Sequence, residues 1–538
     1  MAVAGRVPRF RFGVVPHPRR FPAYWTDWWR VAAILLAVAV VAGTFVVGPR
    51  IAPSILCNDG GLPSGDLWKS GDDCVGITEG PYFFGLERFA PVMRTIDEQN
   101  RSAAEKCDPQ ATPATVGILL TLTDDFAGSR GLHELEGMAA AQRTANGAGC
   151  VHPIKLVIGH VGTYADGGSA AVEVARRLVT RADVVAVAGI GLSHQASADV
   201  ADELAAAKLP MVSDLITAEG FDQSGSAADQ PSFGGCDPDI TYPRGIGKDF
   251  FYRVAFRSAA QLARLDAALQ NGPDFLLVPT GGSDPYTCTT LPLIQRQFGG
   301  DISEVKFDTE DATTVAQTAR RVCEAPKDVT VAYIARGRDL GQFIFSLDEA
   351  ISNGRCSATS ITVMSTSDGN RIRTGEADPR LEEIRVRALR SPAFQTGKVM
   401  LLATLVGGAD KQEPYNPGFA AFEASFAAAG FDAAHIDDGW ALNAYDALTA
   451  ISTALRMLPA GREIQRGQVN TELSGLTSVE RSAPGAGGPI TFDNSGNRTG
   501  DGPPVVRLCP ARSRAAGASA ATTSVIVPPG AQALPPCP

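Results

Sequence analysis

Several features are scarce in this chain, and each scarcity closes off a class of function. Only six histidines occur among 538 residues, and no Cys-x-x-Cys pair or Cys/His cluster with zinc spacing is present, so no metal site is expected. Basic residues are thin beyond the N-terminus. The first fifty residues hold seven arginines against one acid, Asp27, which leaves −16 for the rest of a chain whose total is −10. A protein that grips phosphate backbones needs a basic face, so nucleic acid is not expected as a partner of the main body. No cysteine precedes position 57, and no charged side chain occurs from 31 to 48.

The uncharged run "VAAILLAVAVVAGTFVVG" (31–48) reads as a transmembrane anchor. As a helix at about 1.5 Å per residue it reaches roughly 27 Å, close to the ~30 Å of a bilayer core. Trp25, Trp28 and Trp29 precede it, with Arg6, Arg9, Arg11, Arg19, Arg20 and Arg30 on the same side. The positive-inside rule then puts a cytoplasmic basic segment at 1–30 and everything after Arg50 outside, at the cell membrane. A cleaved signal peptide is the competing reading, although its apolar region is usually shorter. Lipidation at Cys57 is disfavoured by the bulk of Leu56 before it.

All ten cysteines, 57, 74, 107, 150, 236, 288, 323, 356, 509 and 537, follow the apolar run. An even count confined to the exported side reads as disulfides, and nearest-neighbour pairing is the simplest scheme. Cys323 with Cys356, and Cys107 with Cys150, gain support because each pair falls at one rim of its lobe.

From Ala114 short apolar runs alternate with helical segments. "TVGILLTLT" (115–123), "IKLVIGHV" (154–161), "DVVAVAGI" (183–190) and "LPMVSDL" (209–215) read as buried strands, with helices over 132–146, 169–181 and 197–208. That spacing gives a parallel sheet covered on both faces. After "FFYRVAF" (250–256) the alternation starts afresh through "DFLLVPT", "SEVKFD", "DVTVAYIA" and "SITVMST", a second lobe of similar design. Two helical stretches lie in 417–458, and 488–508 reads as strand, turn, strand. Residues 49–111 read as a disulfide-tied prelude. The Pro/Ala-rich tail 509–538 is expected to be disordered, since it has too little apolar surface to offset ordering entropy.

In this order the segments resemble the type 1 periplasmic binding proteins, in particular the branched-chain amino acid and amide branch that serves ATP-driven importers. The resemblance spans roughly 112–508. It is carried by "LEGMAAAQRTANGAG", "VVAVAGIGLSHQAS" with "LPMVSDLITAEGF", "FFYRVAFRSAAQLARL", "SDPYT", "AYDALTAISTAL" and "ITFDNSGNRTG". It implies a two-lobed α/β fold, two doubly wound parallel sheets joined by a three-strand hinge. Lobe 1 would take 112–256 and 408–488, and lobe 2 would take 257–407 and 489–508. Crossings fall near Ala255–Arg257, Leu402–Gly407 and Pro489–Thr491.

The same resemblance implies a small polar ligand, an amino acid, amide or related solute, closed between the lobes without catalysis or cofactor. Ser193 matches the serine that holds a ligand carboxylate, Thr217 a hydroxyl near the ligand's charged groups, and Tyr286 the aromatic capping the cleft from lobe 2. An acid for a ligand ammonium falls at Asp368. Arg336 or Gly337 stands where the family has a tyrosine, and an arginine at the cleft would favour a ligand with an extra negative charge. Asp124 either lines the cleft or caps a turn. The long segment 221–248 would either cover the cleft or shift its specificity, and a Cys236–Cys288 bridge would tie it to the loop holding Tyr286.

Ser193 beside His194 raises the alternative of a nucleophile and base, but adjacent residues after a strand point apart and no third group is evident. The glycines of "GIG" miss the dinucleotide spacing and no P-loop lysine follows. The implied partners are the ligand, the membrane, and an ABC permease or membrane sensor. A tethered sensing or scaffolding domain is the alternative to transport.

Overall fold

The computed structural model describes residues 66–538, apart from scattered positions and chiefly 108–110, 124–129, 164–167, 226–248, 281–283, 408–416 and 512–521. Upstream it describes Cys57, Val38, residues 30–36 and Trp28. Residues 30–36 are helical and mostly exposed. No helix among the described residues is long and apolar enough to cross a membrane; most of the expected anchor at 31–48 lies outside them, as do Asp124 and Cys236.

The first sheet has the order β1-β2-β4-β3-β5-β6-β7. Its strands are β1 (Leu67–Ser70), β2 (Asp73–Thr78), β3 (Ala114–Leu120), β4 (Ile154–His160), β5 (Val184–Gly189), β6 (Met211–Ser213) and β7 (Phe251–Arg253). Strands β4, β3, β5, β6 and β7 run parallel. They are near-continuous apolar runs because helices such as Arg130–Ala145 and Ser169–Thr180 cover both faces. Gly117 of β3 lets Leu178 approach: a Cβ there would lie 2.4 Å from Leu178 Cδ2.

The sheet is mixed rather than wholly parallel. Strands β1 and β2 form a hairpin through Gly71 (φ +58°), and β2 pairs antiparallel with β4. Residues 66–105 are therefore no separate prelude but the edge of lobe 1. Asn100, on the helix Ala90–Ser102, seals β4 beyond the reach of β2: its Nδ2 donates to Leu156 O and its Oδ1 accepts from Leu156 N, both at 2.8 Å.

The second sheet repeats the plan. Its parallel strands are β8 (Phe275–Pro279), β9 (Ser303–Phe307), β10 (Val329–Tyr333), β11 (Ile361–Ser365) and β12 (Val399–Thr404). The small hairpin β13 (Ala483–Gly485) and β14 (Gly488–Ile490) follows. Then β15 (Val505–Pro510) and β16 (Thr522–Val527) add an antiparallel edge. Strand β16 overturns the expectation of a disordered tail: the average composition hid "TTSVIV", a β-branched run that fits a pleated edge. The C-terminus is also bonded through Cys509–Cys537.

Cys107–Cys150 and Cys323–Cys356 are formed as expected, with Cα atoms 4.8 and 4.4 Å apart. Cys57, Cys74 and Cys288 are also disulfide-bonded.

Three crossings join the lobes. Phe256 N donates to Val406 O, where the first two meet. The third comes later than the sequence reading placed it. Asn497 is still bridged to Arg253 of lobe 1, and the chain reaches lobe 2 only where Leu405 N donates to Pro504 O. Residues 489–498 thus stay with lobe 1, held by Arg498 on Asp446.

Candidate functional site between the lobes

Strand β5 ends in three successive residues with positive φ, Gly189 (+95°), Ile190 (+83°) and Gly191 (+87°). Ile190 is β-branched, so this backbone is strained and held by its surroundings. The turn delivers Ser193 into the protein, 2% exposed. Its Oγ accepts from Thr217 N at 3.0 Å and Ala218 N at 3.1 Å, so the hydroxyl stitches the loop after β5 to the loop after β6. Its own proton has no acceptor among the described residues. Thr217 is buried beside it, its carbonyl accepting from Ser258 N. His194 caps the helix Gln195–Ala206, Nδ1 accepting from Ala196 N. Burial, then the Arg336 charge, lowers its pKa to about 4, so a neutral cap is its role and no nucleophile–base pair forms.

From the other lobe Arg336, at the N-cap of the helix Gly337–Ser352, reaches across. Its Nη2 donates to Ser193 O at 2.6 Å and to Asp284 Oδ1 at 2.9 Å, and its guanidinium lies 4.8 Å from the Tyr286 ring centroid. Tyr286 is buried, bonded through its hydroxyl to Thr366 Oγ1, and burial raises its pKa.

Asp368 follows β11 and is also buried. Its Oδ1 accepts from Arg130 Nη2 at 2.8 Å and its Oδ2 from Gly337 N. Burial raises the Asp368 pKa, but Arg130, Arg336 and the Gly337 N–H outweigh it and hold the group down at about 2. Arg130 comes from lobe 1, where it opens the helix Arg130–Ala145 and stacks 4.4 Å from the Trp440 ring centroid. A second link crosses nearby: Thr374 Oγ1 donates to Asp438 Oδ2 at 2.8 Å and accepts from Trp440 Nε1 at 3.1 Å. Asp438 also holds His133 Nδ1 at 2.6 Å, and the His133 ring stacks on His435.

Thus Ser193, Thr217, Tyr286, Arg336 and Asp368 are all buried where the lobes meet, and bonds from Arg336 to Ser193 and from Arg130 to Asp368 cross the gap. Sequence reasoning missed Arg130, Trp440, Asp284 and Thr374. Arg130 carried a usable signal: a cation at a helix N-terminus opposes the helix dipole and needs an anion to hold it. Also missed were Glu134 and Asp214, buried together. Burial raises both pKa values, that of Glu134 further through the neighbouring Asp214 charge.

No protein-family model matches the chain, and no curated protein matches it. Solved structures do. The branched-chain amino acid transporter substrate-binding protein LivJ of Streptococcus pneumoniae, in complex with isoleucine, is 14% identical with a TM-score of 0.51, over 77% of this chain and 100% of that one. The leucine-binding protein LivK of Thermotoga maritima is 18% identical with a TM-score of 0.52, over 77% and 99%. The fold is that of the type 1 periplasmic binding proteins. A solute-binding protein from R. palustris in complex with 4-hydroxybenzoate aligns on the same type 1 fold, with 14% identity, a TM-score of 0.51, and 78% and 98% coverage. Each neighbour is covered almost completely, while the aligned part takes in only 77% of this chain.

Proposed function

We propose that the chain is a membrane-anchored, extracytoplasmic solute-binding protein that captures a small polar ligand between its lobes for an ABC importer, making and breaking no bond. The reading rests above all on one observation: five polar residues chosen from the sequence, drawn from both lobes, converge in one buried interlobe cluster. In open parallel sheets ligands gather beyond the carboxyl ends of strands, and β5, β6 and β11 end here. Of the neighbours named above, two are transporter proteins in complex with isoleucine and 4-hydroxybenzoate and the third is a leucine-binding protein, which supports the same class of solute. The uncharged apolar run of sequence at 31–48, preceded by arginines, supports tethering at the outer face.

A thermal-shift panel of amino acids, dicarboxylates, amides and aromatic acids tests the proposal on the full chain. Ligand at 100 times its dissociation constant stabilises by roughly 2.7 kcal/mol, so a binder raises Tm clearly. A broad panel without any shift would sink the reading. One observation favours the second reading, a tethered sensing or scaffolding domain: the lobes bind each other directly through Arg130–Asp368 and Thr374–Asp438. A chain that stays closed in solution scattering, whatever is added, would support that reading over transport.

A further inference from the structure

The interlobe cluster carries information about the class of solute, an inference that rests on the binding reading above. Four charged groups dominate it, Arg130 and Arg336 against Asp284 and Asp368, and they pair with one another. Asp368, the acid that a ligand ammonium would seek, already has each oxygen engaged, one by the Arg130 guanidinium and one by Gly337 N–H. Arg130 is 2% exposed, packed on Trp440 and fixed at the start of its helix, so it is a permanent part of the cluster. The other acids near Arg130, Glu134 and Asp214, are buried, which raises both pKa values, and the Asp214 charge raises that of Glu134 further.

At the two arginines the unmet needs have the opposite sign, although Glu134 Oε1 and both Asp214 carboxylate oxygens also lack partners among the described residues. Among the described residues the buried Nε of Arg130 and Nε of Arg336 have no acceptor. A guanidinium N–H can only donate, and a buried donor without an acceptor is costly. A carboxylate supplies acceptors to such donors; an ammonium group supplies none and would add a third cation.

We infer that Arg130 is a specificity-determining residue: it stands in for a ligand ammonium on Asp368, so the cleft selects carboxylates that lack an α-amino group over the corresponding amino acids. Arg336 and Arg130 together then face the ligand carboxylate, and Trp440 and Tyr286 offer ring faces to its body.

The test is equilibrium titration of the full chain with matched pairs that differ by the amino group alone: 4-methylpentanoate against leucine, 3-phenylpropanoate against phenylalanine, and the same pairing for any further binder from the panel. In wild type the deamino member binds at least about tenfold more tightly, the scale of one ionic contact. Arg130→Gln, which uncovers Asp368, shifts the ratio toward the amino acid by about tenfold or more. Arg130→Lys retains the charge and the wild-type order. Should Arg130→Gln fail to fold, R130Q/D368N removes both members of the buried pair, and its ratio falls toward one. An amino acid binding wild type as tightly as its deamino partner would overturn the inference and leave the binding reading intact, as would a ratio that none of these variants moves. If no panel member binds wild type or variants, the binding reading fails and the inference with it.

Discussion

The hinge and the cleft are both built on buried arginine–carboxylate pairs, and they differ in how those arginines are satisfied. At the hinge, Arg498 donates to Asp446 Oδ2 at 3.2 Å, Val254 O at 3.1 Å, Gly487 O at 2.8 Å and Gly488 O at 3.2 Å, all from lobe 1. In the cleft, Arg130 reaches one carboxylate on the opposite lobe and keeps an idle Nε. The electrostatics invert as well. Burial wins at Asp446, whose pKa is pushed up to about 6 against the opposing pull of Arg498. At Asp368 two arginines and a backbone N–H win, and the pKa falls to about 2. An arginine saturated within one lobe braces the fold. One that spends a single contact across a gap and retains an unused donor is placed to respond to something else.

The sharpest way to break this contrast is Arg498→Met, which strands Asp446 in the interior. Losing one partner of a buried pair costs roughly 3–5 kcal/mol, so chemical denaturation should show that loss while the ligand preference stays unchanged. A stability loss under about 1 kcal/mol would show that Arg498 is no brace.

Acid titration separates the two sites by sign. Asp446 has a raised folded pKa, so its contribution favours the fold below pH 3.8 and declines as pH rises from there to about 6. Asp368 has a lowered folded pKa, so its contribution is complete above pH 3.8 and is lost as pH falls toward 2. Each amounts to on the order of 2–3 kcal/mol for a fully buried group. Stability measured against pH should therefore lose its fall between about 4 and 6 in Asp446→Asn, and its low-pH fall in Asp368→Asn. Identical profiles for the two variants would erase the distinction.

Ser193→Ala sharpens the comparison within the cleft, because it leaves Thr217 N–H and Ala218 N–H without their acceptor. A loss of about 1–3 kcal/mol in stability is expected, with weaker ligand binding besides. Binding that weakens with no change in Tm would mean that the hydroxyl serves the ligand alone. The smallest effect belongs to Thr374→Val, which removes the second interlobe link at about 1 kcal/mol. Trp440 loses its hydrogen bond, so a red-shifted and more quenchable emission should report a larger open fraction. Unchanged fluorescence would place that link outside the closing contacts.

Much of the fold was legible because fully buried parallel strands cannot disguise themselves. "TVGILL" and "VVAVAG" are apolar throughout, and the helices between them repeat at regular spacing. The edges were less legible. Strands β1, β2 and β16 are short and half-exposed, so their composition resembles loop and tail, and only pairing with β4 or β15 makes them strands. The third crossing was placed early because the Gly/Pro-rich stretch near 487–489 looks like a hinge, whereas Arg498 holds the chain on lobe 1 for another turn. In the site, Ser193, Thr217, Tyr286, Arg336 and Asp368 were named through the family resemblance alone, and what the structure adds is that all five are buried. Arg130 was not legible, since its partner lies 238 residues away in sequence and the one local signal, a cation at a helix start, does not say which anion holds it.

The Cys509–Cys537 bridge closes the chain's end on itself and has a mechanical consequence. Force applied at Pro538 is delivered to Cys509, inside β15, and bypasses β16, whose residues lie within the closed loop. The 28 residues of that loop stay hidden from an extension measurement while the bridge is oxidised. Reduction should release about 90–100 Å of additional contour length at roughly 3.3–3.6 Å per residue, as a separate step in which β16 peels from its neighbour. A pulling trace with the same length before and after reductant would show that the load reaches the sheet by another route.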